Sequence, residues 1–429
     1  MIGAVDEETP TMRRRVLGMI LAGGKGTRLY PLTRDRAKPS VPFGGRYRII
    51  DFVLSNFMNS GIYSIYVLTQ FKSQSLMEHL QRGWGSISMM RDQYVIPVPA
   101  QMRTGDYWYR GTADAIYQNL NLLRESHPDL VAVFGGDHIY RMDISQMVAF
   151  HDNREADVTI AGISVPLEEA SAFGVMKVDE HGRILDFEEK PENPSPMPDD
   201  PHRALVSMGN YVFSNLVLAD ACEEDAKKED SSHDFGKDIL PRLLKDGMRL
   251  FCYPFESNVV PGEGGGSNTY WRDVGTLEAY YEANMDLRDL VPQFNLYNDL
   301  WPIGTHAKNL PPTKFVHDED GRRGLAVQSL VGDGTIISGA SVRGSIIGRN
   351  VRINSYSEIE DCILFDNTVI GRNVRLKGVI IDKNVHVPDD EEIGFDREID
   401  EKRFFVSPSG LVVIPKQPHF EGRVGFLDV

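Results

Sequence analysis

Short unbroken apolar runs alternate with amphipathic stretches through the first two-thirds of this chain, and a different rhythm takes over in the last third. Residues 16–23, "VLGMILAG", are apolar at successive positions, which predicts a strand buried on both faces. "FVLSNFMNSG" (52–61) predicts a helix ending near Gly61, and "IYSIYVLTQF" (62–71) a second strand. Apolar spacing of three and four in "ADAIYQNLNLLRES" (113–126) predicts another helix. "LVAVFGGDHIY" (130–140) and "DVTIAGISV" (157–165) predict a third and a fourth strand. This alternation argues for a parallel-rich sheet covered by helices. Such sheets bind ligands beyond the carboxyl ends of their strands, where the breaks Gly23-Gly24 and Gly135-Gly136 fall.

Residues 291–325 read as a linker, with Pro292, Pro302, Pro311, Pro312 and the charged "HDEDGRR". They divide a first domain, 1–290, from a second, 326–429. In the second, apolar residues recur every six positions: Val331 and Ile337; Ile347, Ile353, Ile359 and Phe365; Ile370 and Leu376; Ile381, Val387 and Ile393. Six is neither the helical nor the strand period. It is the repeat of a β-helix, in which each short strand sends one apolar residue inward. A meandering β-sandwich with accidental spacing is the alternative.

A chain of 429 residues is long enough for more than one hydrophobic core. Its 46 basic and 62 acidic residues leave a net charge of −16, which argues against a general nucleic-acid binder. No stretch approaches the ~20 apolar residues of a membrane span. The opening "MIGAVDEETPTMRRR" lacks an apolar signal region, and Cys222, Cys252 and Cys362 have no metal spacing, so the chain reads as a cytoplasmic protein with reduced thiols.

Against that acidic background one stretch stands out. Lys25, Arg28, Arg34, Arg36, Lys38, Arg46 and Arg48 follow the first glycine turn with a single anion, Asp35, among them. The turn is no P-loop, and in Gly24-x-Gly26-x-x-Leu29 the third glycine of the dinucleotide fingerprint is missing. A strand, a glycine turn with free N–H groups and a run of cations can still cradle anionic oxygens. Asp137, at the end of an apolar strand, suits Mg2+, which takes one or two carboxylates plus substrate phosphates; it equally suits a turn aspartate bonded to its own backbone. Asp273 in "TYWRDVGT" is a candidate second carboxylate. Lys190 in "FEEKP" offers a point charge for a phosphate, or a surface pair with Glu189.

These pieces occur together, in this order, in the sugar-phosphate nucleotidyltransferases, and the chain resembles that family, especially its ADP-glucose pyrophosphorylase (glucose-1-phosphate adenylyltransferase) branch. The resemblance rests on "LAGGKGTRLYPLT", "RAKPSVPFGGRYRIIDFVLSN", "WYRGTADAI", "FGGDHIY", "ASAFGVM", "FEEKP", "SMGNYVF", "SSHDFGKDILP" and "YWRDVGTLEAYYEANMDL", spread over residues 17–287, and on the hexapeptide region. It implies an α/β fold: a Rossmann-like nucleotidyltransferase domain with a mixed, mostly parallel sheet, then a left-handed parallel β-helix. It also implies a reaction, ATP plus glucose 1-phosphate giving ADP-glucose and pyrophosphate, the regulated first committed step of glycogen synthesis. By motif, Gly23, Gly24, Gly26 and Thr27 would wrap the triphosphate, Arg28 and Lys38 would hold the departing phosphates, and Gln101 would read the base, with Gly111 also on the nucleotide. Asp137 and Asp273 would bind Mg2+. Lys190 would contact the sugar phosphate and the attacked α-phosphate, and Tyr109, Gly174, Glu189 and Ser207 would contact glucose 1-phosphate.

The family further implies a homotetramer and small phosphorylated or carboxylate effectors, for which Arg34, Arg36, Arg46 and Arg48 are the candidate site. Some members carry a basic residue where Asp35 stands. Two rival expectations are a relative using UTP or dTTP and a non-catalytic scaffold subunit; the full charged set argues against the second.

Overall fold

The computed structural model describes residues 14–85, 92–263 and 270–416. Val16–Ala22 is a strand inside a nine-stranded mixed sheet. It pairs in parallel with Leu130–Gly135 on one side and Ser64–Thr69 on the other, and Tyr94–Pro99 continues the parallel set to one edge. Antiparallel strands lie beyond Leu130–Gly135: Arg203–Ser214 pairs with it, and with Val158–Pro166 and Gly174–Val178. Leu17 and Met19 of the central strand enter one core; Ile20 and Ala22 enter another on the opposite face. Helix Ile49–Asn59 covers one face, and helices Thr112–Tyr117 and Leu120–Ser126 the other. Burial on both faces is why these strands read as unbroken apolar runs.

Two expected elements are each split in two. The helix expected over 113–126 breaks at Gln118 and Asn119, whose amides donate to Asp114 Oδ2 and to the Ala115 carbonyl at 2.9 and 2.8 Å. Such side-chain bonds compete with the helical ladder. The strand expected over 130–140 ends at Gly135, and His138–Tyr140 joins a separate two-stranded ribbon with Trp271–Asp273. Gly136 makes the break possible: a Cβ there would lie 2.9 Å from Ile50 Cδ1 and 3.0 Å from Ile20 Cγ2.

The C-terminal part is a parallel β-helix of three sheets. Ile337, Ile353, Ile370 and Val387 stack in register on one wall, and Val342, Ile359, Leu376 and Ile393 on the second. Ile347, Leu364, Ile381 and Ile414 form the third. All are buried. Phe365 is therefore not an inward residue. The coil from Ile337 to Ile353 is 16 residues long and the next two, Ile353 to Ile370 to Val387, are 17, so one wall of each longer coil is reached in five residues rather than six, and Leu364 takes the inward place. These five-residue steps are the restarts in the sequence pattern.

Phe365 instead points out of the third wall, with Ile346, Ile363, Ile380 and Val413, into a core shared with Leu29, Val41, Phe43, Phe52 and Tyr280 of the N-terminal part. The segment read as linker is packed as well. Phe294, Trp301 and Ile303 are buried, and Lys314–Val316 already pairs with Ile336–Ser338, so β-helix pairing begins ahead of residue 326. Of its prolines, Pro302, Pro311 and Pro312 are exposed and Pro292 is half-buried, so they mark irregular backbone between the buried anchors.

Candidate active site

The glycine turn leaves the carboxyl end of Val16–Ala22 and enters a short 3-10 turn, Thr27–Leu29. Gly26 has φ 59°, and a Cβ there would lie 3.0 Å from Lys38 Cβ. Glycine thus provides the left-handed backbone and lets the lysine segment lie against the turn. Above this turn opens a cleft of about 570 Å3 at the carboxyl ends of the parallel strands. Gly23, Gly24, Gly26, Thr27, Arg28, Lys38, Tyr109, Gly111, Asp137 and Glu189 line it.

At one end of the cleft, Lys38 Nζ lies 3.0 Å from Asp137 Oδ2 and 3.0 Å from Asp273 Oδ1. Arg28 Nη2 is 3.8 Å from Asp273 Oδ2. The ribbon is what joins residues so distant in sequence: it pairs Asp273 with His138, the neighbour of Asp137. Burial alone would lower the Lys38 pKa, but the two carboxylates outweigh it and raise it. Burial would likewise raise the Asp137 carboxyl, yet Lys38, His138 and Arg28 hold it down at about 2. Both stay ionised at neutral pH. Oxygen and nitrogen atoms of Asp137, His138 and Asp273 lie within 4.8 Å of one another. Two carboxylates that already share one cation, the Lys38 ammonium, fit a divalent ion.

At the other end, the Glu189 carboxylate lies over two glycines. A Cβ on Gly174 would come within 2.9 Å of Glu189 Oε2, and one on Gly236 within 2.3 Å. Burial pushes the Glu189 pKa up, against the pull of Lys190, whose Nζ is 3.3 Å from Oε1. The Tyr109 hydroxyl is held by the Asn119 amide at 2.9 Å. Lys190 is mostly exposed, Ser207 accepts the Gly209 N–H at 3.1 Å in a bulge, and Gln101 sits exposed beside Arg103. Lys190, Ser207, Gly174, Gln101 and Asp273 are not among the cleft-wall residues.

Asp234, Phe235 and Gly236 also line the cleft, and the only local signal for them is the "HDFGKD" stretch that contains them. Asp234 accepts the N–H groups of Gly236 and Lys237 and pairs with Thr112 Oγ1 at 3.1 Å. Gly111 serves this junction too, since a Cβ there would lie 2.2 Å from the His233 carbonyl oxygen. His138 lines the cleft as well, and its only sequence signal is that it directly follows Asp137.

The four candidate effector arginines lie at the seam with the β-helix. Arg36 Nη2 donates to both oxygens of Asp382 at 2.7 and 3.0 Å, both residues being buried. Arg34 donates to the Lys416 carbonyl, Arg48 to the Ser75 carbonyl and hydroxyl, and Arg46 is exposed over Tyr47. Arg36 Nη1 and Arg349 Nε and Nη2 are buried with no hydrogen-bond partner among the described residues. Burial and the nearby Arg48 and Arg36 push the Lys383 ammonium down to about 7.

The mixed α/β sheet with its glycine turn beside Lys38, Asp137 and Asp273, and the β-helix that follows it, coincide with two family matches. Residues 17–289 match the nucleotidyl transferase family and residues 311–414 the GlmU-like C-terminal hexapeptide family; the chain belongs to the nucleotidyl transferases. A protein of Thermus thermophilus named glucose-1-phosphate adenylyltransferase is 55% identical over 410 residues, which cover 94% of this chain and 99% of that one. Proteins of the same name from Anaeromyxobacter sp. and Deinococcus radiodurans are 54% and 50% identical, covering 95% and 94% of this chain and 99% of each relative. Among the described residues no helix is long and apolar enough to cross a membrane.

Proposed function

We propose that this chain is a glucose-1-phosphate adenylyltransferase, transferring the adenylyl group of ATP to glucose 1-phosphate with release of pyrophosphate. The observation that carries this reading is the arrangement of one cleft. At one end the glycine turn meets Lys38 and the carboxylates of Asp137 and Asp273; at the other Glu189 stands as an acceptor for sugar hydroxyls. A phosphate oxygen of the sugar attacks the α-phosphorus in line, and the β- and γ-phosphates leave. That oxygen is already anionic at neutral pH, so no general base is required, and catalysis is positioning and charge neutralisation.

In this reading the N–H groups of residues 23–27 and the side chains of Arg28 and Lys38 hold the departing phosphates. Lys38 exchanges its carboxylates for phosphate oxygens. Lys190, next to Glu189, receives the sugar phosphate, and Tyr109 and Gly174 shape the sugar pocket. Asp137 and Asp273 hold Mg2+, which when bound neutralises triphosphate oxygens. For regulation, we assign small phosphorylated or carboxylate effectors to the seam around Arg34, Arg36, Arg46 and Arg48, supported by the unpartnered nitrogens of Arg36 and Arg349. A cytoplasmic homotetramer completes the reading.

The test is pyrophosphate release from glucose 1-phosphate with ATP, UTP or dTTP in parallel, with Mg2+. ATP should be used far faster than the other two. Turnover with UTP or dTTP equal to that with ATP would overturn the assignment of the base.

A further inference from the structure

His138 stands opposite Asp273 in the antiparallel ribbon, and paired residues of such a ribbon present their side chains on the same face. Its Nε2 lies 3.8 Å from Asp137 Oδ1 and 3.7 Å from Asp273 Oδ1. Donors that share one six-coordinate ion at ~2.1 Å sit ~3 Å apart when adjacent and ~4.2 Å apart when opposite. The observed separations fall between those limits. The ring is also held in place: it packs edge-on against Trp271 at 5.2 Å, and Trp271 in turn packs on Phe173. The side chain is 15% exposed, and its Nδ1 is buried without a hydrogen-bond partner among the described residues. The nitrogen with polar company is thus the one beside the two carboxylates.

We infer that His138 Nε2 is the third protein ligand of the divalent cation held by Asp137 and Asp273, and that its imidazole strengthens binding of Mn2+ or Co2+ more than binding of Mg2+. The inference rests on the assignment of those two aspartates as metal ligands. Mg2+ prefers oxygen donors, whereas imidazole suits the later first-row ions, whose affinities for nitrogen sites rise from Mn2+ towards Cu2+. An Asp–Asp pair alone would give little discrimination. The alternative is that the imidazole only packs on Trp271 and supports the ribbon.

The test is Mn2+ binding to the full-length protein in the absence of nucleotide, read by electron spin-echo spectroscopy for directly bonded 14N and by titration. The expected result is a bound-nitrogen coupling in the wild type that disappears in His138→Gln, with Mn2+ affinity at least ~10-fold weaker and Mg2+ affinity changed much less. Thermal unfolding of His138→Gln and His138→Asn identifies any loss that comes from misfolding, and the wild-type spectrum does not depend on either variant. Bound Mn2+ without nitrogen coupling, or coupling that survives His138→Gln, overturns the inference while leaving the aspartates in place. Asp273→Asn separates the two claims. If it binds Mn2+ as the wild type does, the aspartate assignment itself fails, and His138 falls with it.

Discussion

Asp137 faces a lysine 3.0 Å away and an imidazole on its other side, so its charge is what it contributes to the cleft. Asp137→Asn keeps the shape and removes that charge. Turnover should fall at least ~100-fold, since electrostatic contributions of this kind to a transition state are worth ~3 kcal/mol or more. Steady-state kinetics at saturating metal check this, and an unchanged kcat would exclude the carboxylate from the chemistry. Lys383 raises a different question at the same scale. Its ammonium titrates near 7 in the folded chain against 10.5 ordinarily. Between those values the unfolded chain binds a proton that the folded one does not, so this residue makes stability rise with pH across that window and costs most at and below pH 7. Lys383→Met removes the cost. Its melting temperature should exceed that of the wild type most at pH 6–7, with the gap closing towards pH 10; a gap constant with pH would show that the shift is absent.

The β-helix turns its corners on residues with left-handed backbone that recur coil by coil. Asn350, Asn367 and Asn384 have φ of 56°, 61° and 60°, and their amides form a ladder with bonds of 3.0 and 2.9 Å. Asparagine tolerates this conformation, while a Cβ without a local hydrogen bond costs ~1–2 kcal/mol there. Asn367→Ala should therefore destabilise the protein by about that much, and Asn367→Gly by clearly less. Denaturant unfolding of the two variants provides the comparison; equal losses would mean that the amide ladder, not the backbone, carries the stability. The period of six was readable because each inward residue repeats. The step of five was not, since Leu364 and Phe365 are both apolar and only stacking against Ile347 and Ile381 decides between them.

Across the whole molecule, the buried pair Arg36–Asp382 ties the segment that carries Lys38 to the β-helix. Removing one partner leaves the other buried and uncompensated, at a cost of ~3–5 kcal/mol, whereas an apolar replacement of both can be neutral. Arg36→Met should lower the melting temperature markedly and Arg36→Met/Asp382→Leu should recover most of it. A double variant as unstable as the single would show that the pair is not the link between the two parts. If effectors bind the seam as proposed, loss of activation in an Arg36 variant would have two causes to separate, and the exposed Arg46 would be the cleaner probe.

The chain alone determined that the apolar runs at 16–22, 64–69, 130–135 and 158–165 become strands, that a repeat of about six residues runs through its last third, and that a glycine turn is followed by cations, the basis of the proposed phosphate site. Those features are written in neighbouring residues: unbroken apolar runs, a period, a turn that needs φ above zero. Asp137 and Lys190 could be singled out because each sits in a distinctive local context. Tertiary structure decided the rest. Nothing near Asp273 in sequence says that it will meet Lys38, because the antiparallel ribbon that joins it to His138 pairs residues 138–140 with the distant residues 271–273. Nothing near Arg36 says that a buried aspartate of the β-helix will claim it, and Phe365 faces outward only because a second domain is there to cover it. Local propensity is a property of adjacent residues, whereas the partner of a charge and the covered face of an apolar residue depend on which distant surfaces pack together.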